Sequence, residues 1–116
     1  DAEKIKLPVS LAQTEPKDTL TVMITKDDVL VQGMKIGTIN EISALKTDLV
    51  PALATELKYR ASHTVAALNE RGIPEREILI LGDEKTPYSV IRKVMATCSD
   101  NDYAKISFAV TRGGKQ

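Results

Sequence analysis

Residues able to catalyse a reaction or bind a metal ion are scarce in this sequence, which has one cysteine, Cys98, and one histidine, His63. A metal ligand or general base needs partners within reach, and no His-x-x-His or Glu-x-x-His pattern surrounds His63. We predict that His63 is a surface or boundary residue and that Cys98 is a small buried hydrophobe. Asp27 and Asp28 lack calcium-loop spacing and predict a polar turn. The sequence therefore predicts no enzyme, no cofactor and no metal site.

A phosphate-binding loop would lie between a buried strand and the start of a helix, and residues 82–87 occupy such a position. Their sequence, Gly-Asp-Glu-Lys-Thr-Pro, lacks the glycines and the Gly-Lys-Ser/Thr order of that loop. We predict instead that Asp83 and Thr86 satisfy backbone groups, with Thr86 as the helix N-cap and Pro87 at the first helical position. This turn is thus predicted to be scaffold.

Composition and charge exclude further classes of function. Sixteen basic and sixteen acidic residues cancel over 116 residues, and no run of five like charges occurs, so the electrostatic footprint of a nucleic-acid-binding protein is missing. Three tyrosines, one phenylalanine and no tryptophan do not predict a stacking platform for single strands. No apolar run approaches the roughly 20 residues that span a bilayer. The length suits one domain with one core.

Residues 78–110 predict a βαβ unit. An apolar strand, 78–81, precedes the turn, and a half-buried strand, 106–110, follows the helix. Apolar residues recur along one face of the helix: Val90, Ile91, Val94, Met95 and Cys98. Four polar residues fall outside this stripe: Arg92, Lys93, Thr97 and Ser99. The other elements must pack on this unit.

Two helices are predicted before the βαβ unit. Thr38 and Glu41 fit a capping box that begins a short helix, 38–46. The apolar stripe continues beyond Pro51, which favours either a second helix from there to a stop at Gly72 or one kinked helix.

The complete order of elements predicts an α+β fold. Strands at 19–25 and 29–32 are close enough to form a hairpin, and the order β-β-α-(α)-β-α-β follows. This order predicts a two-layer α/β sandwich of about four strands with two to three helices on one face. The other face of the sheet is then exposed or used for pairing.

The first 18 residues are predicted to be an extended tether before a globular domain, 19–116. Pro8 and Pro16 argue against a helix, and Pro8 also excludes a central strand. Apolar Ile5, Leu7 and Val9 alternate with other residues, so a docking segment and an inert linker both remain open.

Three stretches of the chain resemble the ExbD/TolR family of biopolymer-transport proteins. Residues 78–95 contain an apolar strand, a Gly-Asp-Glu-Lys turn, a Pro-Tyr helix start and a Val-Met helix. They resemble the family's apolar strand, Ala-Asp-Lys-like turn, Pro-Tyr helix start and Val-Met helix. Residues 24–33 resemble the family's strand, acidic turn and Gly-ended strand, and Ile5-Lys6-Leu7-Pro8 is similar to its short Leu-Pro motif. The segment 38–77 is longer than the family's single short helix, which indicates a divergent branch.

The resemblance implies a periplasmic domain of a bacterial inner-membrane protein, with its membrane helix preceding Asp1. It implies a homodimer inside a pentameric proton channel of the ExbB/TolQ type and a TonB/TolA-like or motility partner, with no nucleic acid. Interaction or hinge residues implied by it are Ile5, Leu7 and Pro8, and the residues of the turn and helix start are Asp83, Lys85, Pro87 and Tyr88. The alternative is a stand-alone α/β regulatory module that binds a peptide or ligand.

Overall fold

The computed structural model describes residues 19–111. Five strands and three helices follow one another: β1 Leu20–Ile24, β2 Asp28–Val31, β3 Met34–Thr38, α1 Ile39–Ala44, α2 Pro51–Ala61, β4 Glu77–Asp83, α3 Tyr88–Asp100 and β5 Lys105–Thr111. The predicted α+β class and the order of the helices are confirmed. Ile5, Leu7 and Pro8 lie outside the described residues.

All five strands form one mixed sheet in the order β3-β2-β1-β4-β5. The predicted hairpin is present as the antiparallel pair β1 and β2, and β4 and β5 are parallel, as the βαβ unit requires. The two parts join through parallel pairing of β1 with β4, in which Val22 lies beside Ile80. The sheet is therefore antiparallel on one side and parallel on the other.

The prediction of about four strands missed β3. Val31 pairs directly with Met34, so Gln32 and Gly33 form a two-residue turn, with φ of 50° and 83°. Two positive φ values give a turn whose twist matches that of the flanking strands. The Gln32 side chain stabilises it by accepting a hydrogen bond from the Thr21 N–H at 2.8 Å.

The core lies between the sheet and the three helices. Alternate residues of β1 and β4 are buried, among them Val22 and Ile80, because successive side chains of a strand point to opposite faces. They pack in one cluster with Leu57 of α2 and Val94 of α3. On the opposite face of β1, Met23 remains 42% exposed. This arrangement is the predicted two-layer sandwich.

The capping box at the start of α1 is confirmed. The Thr38 hydroxyl accepts from the Glu41 N–H at 3.1 Å, and the Glu41 carboxylate accepts from the Thr38 N–H at 3.0 Å. Two otherwise unpaired donors of the first turn are satisfied in this way.

The prediction of a helix reaching Gly72 was wrong, because α2 ends at Ala61. The Ser62 hydroxyl donates to the Tyr59 carbonyl at 2.6 Å and the His63 Nδ1 lies 2.9 Å from the same oxygen, so side chains replace the helical backbone bonds there. Val65 beyond this point is 97% exposed. Gly72, with φ of 77°, serves a tight turn rather than a helix end.

Two residues placed outside the apolar stripe of α3, Lys93 and Thr97, are in fact buried. The Lys93 ammonium donates to the carbonyls of Leu45 and Thr47 in the segment that joins α1 to α2. The Thr97 hydroxyl accepts from the Val50 N–H at 2.9 Å and donates to the Lys93 carbonyl at 2.7 Å. Both side chains bond backbone groups of this connection, and these hydrogen bonds offset the cost of burying their polar atoms.

The predicted burial of Cys98 is confirmed, since its side chain is fully inaccessible. Removal from water disfavours the thiolate and raises the pKa of the Cys98 thiol to about 12. A neutral thiol in this position is a packing residue.

We expect Thr97→Val to lower the free energy of unfolding by about 1–3 kcal/mol, because the Val50 N–H then stays buried without an acceptor. Valine has nearly the same shape as threonine, so no cavity contributes to the loss. Thr47→Val in the same connection is the matched control. Its hydroxyl is exposed, and the expected change is below about 0.5 kcal/mol. Urea unfolding measures both, and equal effects would contradict the assigned role.

The raised pKa of Cys98 predicts a pH dependence of stability. Well below pH 9.0, the ordinary pKa of a cysteine thiol, the thiol is protonated in both the folded and the unfolded state. It then adds no pH dependence to the free energy of unfolding. Between that value and about 12 only the unfolded state loses the proton, so the free energy of unfolding falls by up to about 1.4 kcal/mol per pH unit. Urea unfolding of the wild type and Cys98→Ala from pH 8 upwards, taken as a difference, should isolate this slope. A difference independent of pH would refute it.

Candidate functional site

The turn after β4 is held by its own side chains. The Asp83 carboxylate accepts from the Lys85 N–H at 2.9 Å, and the Thr86 hydroxyl accepts from the Asp83 N–H at 3.0 Å. The Thr86 N–H donates to the Asp83 carbonyl at 2.9 Å. The prediction that Asp83 and Thr86 satisfy backbone groups is therefore confirmed for both side chains.

The predictions of Thr86 as N-cap and of Pro87 at the first helical position were both wrong, because Pro87 is the N-cap of α3 and Tyr88 is its first residue. The Thr86 hydroxyl is occupied by the Asp83 N–H within the turn, so it does not cap the helix. No side chain caps α3, whose Val90 N–H bonds to the Pro87 carbonyl at 3.0 Å. The extended backbone of Pro87, with ψ of 139°, sets the entry into the helix.

The four residues taken from the family pattern lie together at the carboxyl end of β4. Lys85, Pro87 and Tyr88 are exposed, with Tyr88 at 74%, and Asp83 is half-buried. An exposed tyrosine beside a proline offers a rigid amphipathic contact, as protein interfaces favour. These residues suit binding and form no catalytic arrangement.

An open groove of about 450 Å³ adjoins this turn. It is lined by the carboxyl end of β1, including Lys26, by Asp83, Glu84 and Lys85, and by Thr111. The Glu84 N–H donates to the Thr111 carbonyl at 2.9 Å and fixes the turn to the end of β5. Two lysines and two acids balance, so charge gives the groove no preference for one sign of ligand.

The outer edge of β5 is a second candidate interaction surface. It was predicted to be half-buried, but Phe108 is 38% and Val110 53% exposed, because β5 ends the sheet and only β4 pairs with it among the described residues. After Lys105 the strand carries no charge. Charged residues are the usual protection of an edge strand against pairing, so this edge is suited to accept another strand.

The opposite edge, β3, is protected. It carries Lys35, which pairs with Asp28 at 3.5 Å, and its pairing with β2 is irregular between Val29 and Leu30. A charge and an irregular register both discourage strand addition. The two edges of the sheet therefore differ, and the sequence alone did not identify which one is open, although the uncharged run after Lys105 was a usable signal.

The ring of Phe108 packs against the backbone of Gly82. A Cβ at this position would come within 3.2 Å of the Phe108 ring, so the ring of β5 covers the bare backbone of β4. An aromatic side chain beside a strand glycine compensates for the missing side chain.

The remaining candidate residues carry no catalytic chemistry. His63 is exposed, as predicted, and its ring contacts that of Tyr59 with centroids 4.6 Å apart. Within residues 19–111 no cluster of His, Cys, Asp and Glu side chains could hold a metal ion. In the same range, no helix is long and apolar enough to cross a membrane.

Comparison with known proteins identifies a protein family. The model of the family described as biopolymer transport protein ExbD/TolR matches residues 1–113. No curated protein and no solved structure matches significantly.

Proposed function

Because the chain belongs to the ExbD/TolR family of biopolymer transport proteins, we propose that it is the periplasmic domain of an inner-membrane subunit that couples proton flow to force. In this proposal the proton channel is an ExbB/TolQ-like pentamer, and the receiver is a TonB/TolA-like or motility partner. The supporting observation is the family match across residues 1–113, which includes the described domain and the Leu-Pro motif before it.

We propose that the domain acts as a homodimer through the edge of β5. The strand presents seven residues, one side of which pairs with no other strand of residues 19–111, and two exposed apolar side chains, Phe108 and Val110. A second copy adding its own edge would continue the sheet, as strand addition does in peptide recognition.

Proton flow across the membrane supplies the free energy for the proposed conformational step. One elementary charge crossing 100 mV supplies roughly 2.3 kcal/mol, and a ligand or field shifts a two-state equilibrium only by its differential free energy. Each proton can therefore bias a conformational step by a free energy of that order. Ile5, Leu7 and Pro8 are proposed as the hinge that transmits the change from the membrane. The family's proton-carrying acid belongs to the membrane helix, so no residue of this chain is assigned that role.

We expect Val110→Lys to prevent self-association of the isolated chain, because an exposed lysine on an edge strand repels its counterpart in a second copy. The wild type should show a dimer by sedimentation velocity at concentrations approaching millimolar, and the variant should stay monomeric. Val65→Lys, at a fully exposed position outside the sheet, is the matched control and should dimerise like the wild type. A strictly monomeric wild type would contradict the proposed interface.

The coupling itself is tested by disulfide crosslinking in the host membrane. Val110→Cys is placed in the full-length protein carrying Cys98→Ala, and crosslink yield is measured with and without a protonophore. We expect the yield to change severalfold when the proton gradient collapses, and Val65→Cys to show no such change. Leu7→Ala with Pro8→Ala should remove the response while leaving the melting temperature unaltered.

A crosslink yield that is the same with and without the protonophore would contradict proton coupling. That result, with the dimer still present, would instead favour the stand-alone binding module. A large fall in melting temperature for the Leu7 and Pro8 variants would make that segment part of the folded core rather than a hinge.

A further inference from the structure

A second cavity, of about 610 Å³, lies at the end of the sheet opposite the Asp83 turn. The amino ends of β1, β4 and β5 form its floor, with Leu20 and Lys105 among the lining residues. The end of α2 and the segment 62–76 form its walls. Its volume falls in the range of small-ligand sites. We call it the Arg76 pocket.

The wall 62–76 has a fixed shape despite having no helix or strand. The Asn69 carboxamide accepts from the N–H groups of Arg71 and Ile73 at 2.8 and 3.0 Å. Backbone bonds from Asn69 to Ile73 and from Glu75 to Ala67, both 2.9 Å, close the segment on itself. The pocket is therefore formed before any ligand arrives, which lowers the entropic cost of binding.

Arg76 is held rigidly at the pocket wall. Its guanidinium donates to the Thr64 hydroxyl and, at 3.2 Å, to the carbonyls of Ala61 and Thr64. Its Cζ lies 5.7 Å from the centre of the Tyr103 ring, a cation–π distance. Burial raises the pKa of the Tyr103 phenol, and the Arg76 charge partly opposes that rise.

Among residues 19–111, Arg76 has no carboxylate partner, whereas the other two basic residues of the pocket do. Arg60 pairs with Glu56 at 2.7 Å, and Lys105 with Glu77 at 3.6 Å. The guanidinium is bonded only to neutral oxygens, and carboxylates match its planar donors best. The free positive charge of the pocket is thus centred on Arg76.

A second polar residue of the pocket lacks a partner among residues 19–111. The Thr19 hydroxyl is buried and makes no hydrogen bond within this range, and Thr19 lines the same cavity. A buried hydroxyl without a partner is costly, so a hydrogen bond gained by this group would be stabilising. Beside these polar groups lie the apolar side chains of Leu20 and Ala66, and Val65 lies at the exposed rim.

We propose that the Arg76 pocket binds a monocarboxylate carried on a short apolar chain. Such a ligand is a peptide with a free carboxyl terminus or with an acidic side chain beside an apolar residue. A doubly charged phosphate fits less well, because Glu75 and Glu77 also line the cavity and repel a second negative charge. The site includes the first residue of β5, Lys105, but not Phe108 or Val110, and it does not depend on the proposed function.

Binding is tested on the full chain by calorimetry with three peptides. The probes are acetyl-Ala-Ala-Leu with a free carboxylate, the same peptide as its amide, and acetyl-Ala-Glu-Leu amide. We expect the free acid, the glutamate peptide or both to bind at least tenfold more tightly than the neutral amide. The free acid alone identifies a carboxyl terminus as the ligand, and the glutamate peptide alone identifies a side chain. Equal binding of all three, or none, would overturn the proposal.

Variants locate the contact. Arg76→Gln should weaken the preferred peptide at least tenfold, while Arg71→Gln, on the exposed turn of the same segment, should leave affinity unchanged. Arg76 also holds the segment 62–76 in place, so a second pair of variants tests the charge of the ligand without changing Arg76. Val65→Asp at the fully exposed rim should weaken binding severalfold by repulsion, and Val65→Asn should not. Identical affinities of the two Val65 variants would refute an anionic ligand at this pocket.

Discussion

The parallel pairing of β1 with β4 is the constraint on which the rest of the fold depends. Within residues 19–111 it is the only strand pairing between the antiparallel part of the sheet and the βαβ unit. Because it places these two strands in the centre, β3 and β5 become the edges. Both cavities also follow from it, since one lies at the amino ends of the pair and the other at its carboxyl ends. The possible interaction surfaces are thus set by one pairing between residues far apart in sequence.

The parts of the fold that could be predicted from sequence are those determined by nearby residues. The βαβ unit could be predicted from an apolar run and a helical apolar stripe. The capping box of Thr38 and Glu41 involves residues only three positions apart. The third strand, Met34–Thr38, has little strand propensity. The turn at Gln32, held by a hydrogen bond from the Thr21 N–H, positions it beside β2. The prediction of a helix to Gly72 was wrong because the apolar periodicity continues past the point where the helix ends. The side chains of Ser62 and His63 compete there for the Tyr59 carbonyl.

The candidate surfaces were predictable only in part. The turn at Asp83 follows a family pattern, so its residues could be named in advance, but the pattern did not show which sheet edge is open. Lys93 and Thr97 looked like surface residues because their partners are backbone groups more than 40 positions away. Arg76 gave no signal because it is one of sixteen basic residues. Its hydrogen bonds to residues 61 and 64 depend on how the segment after α2 folds back.

The central position of β1 also determines how the domain carries mechanical load. Tension applied between Thr19 and Thr111 pulls on the amino end of one strand and the carboxyl end of another strand that runs parallel to it. The hydrogen bonds between β1, β4 and β5 then lie across the pulling direction and are strained together, in shear. Strands peeled from an edge break their bonds one at a time, so shear loading is the stronger geometry. A domain connected in this way transmits a pull along its sheet before it unfolds.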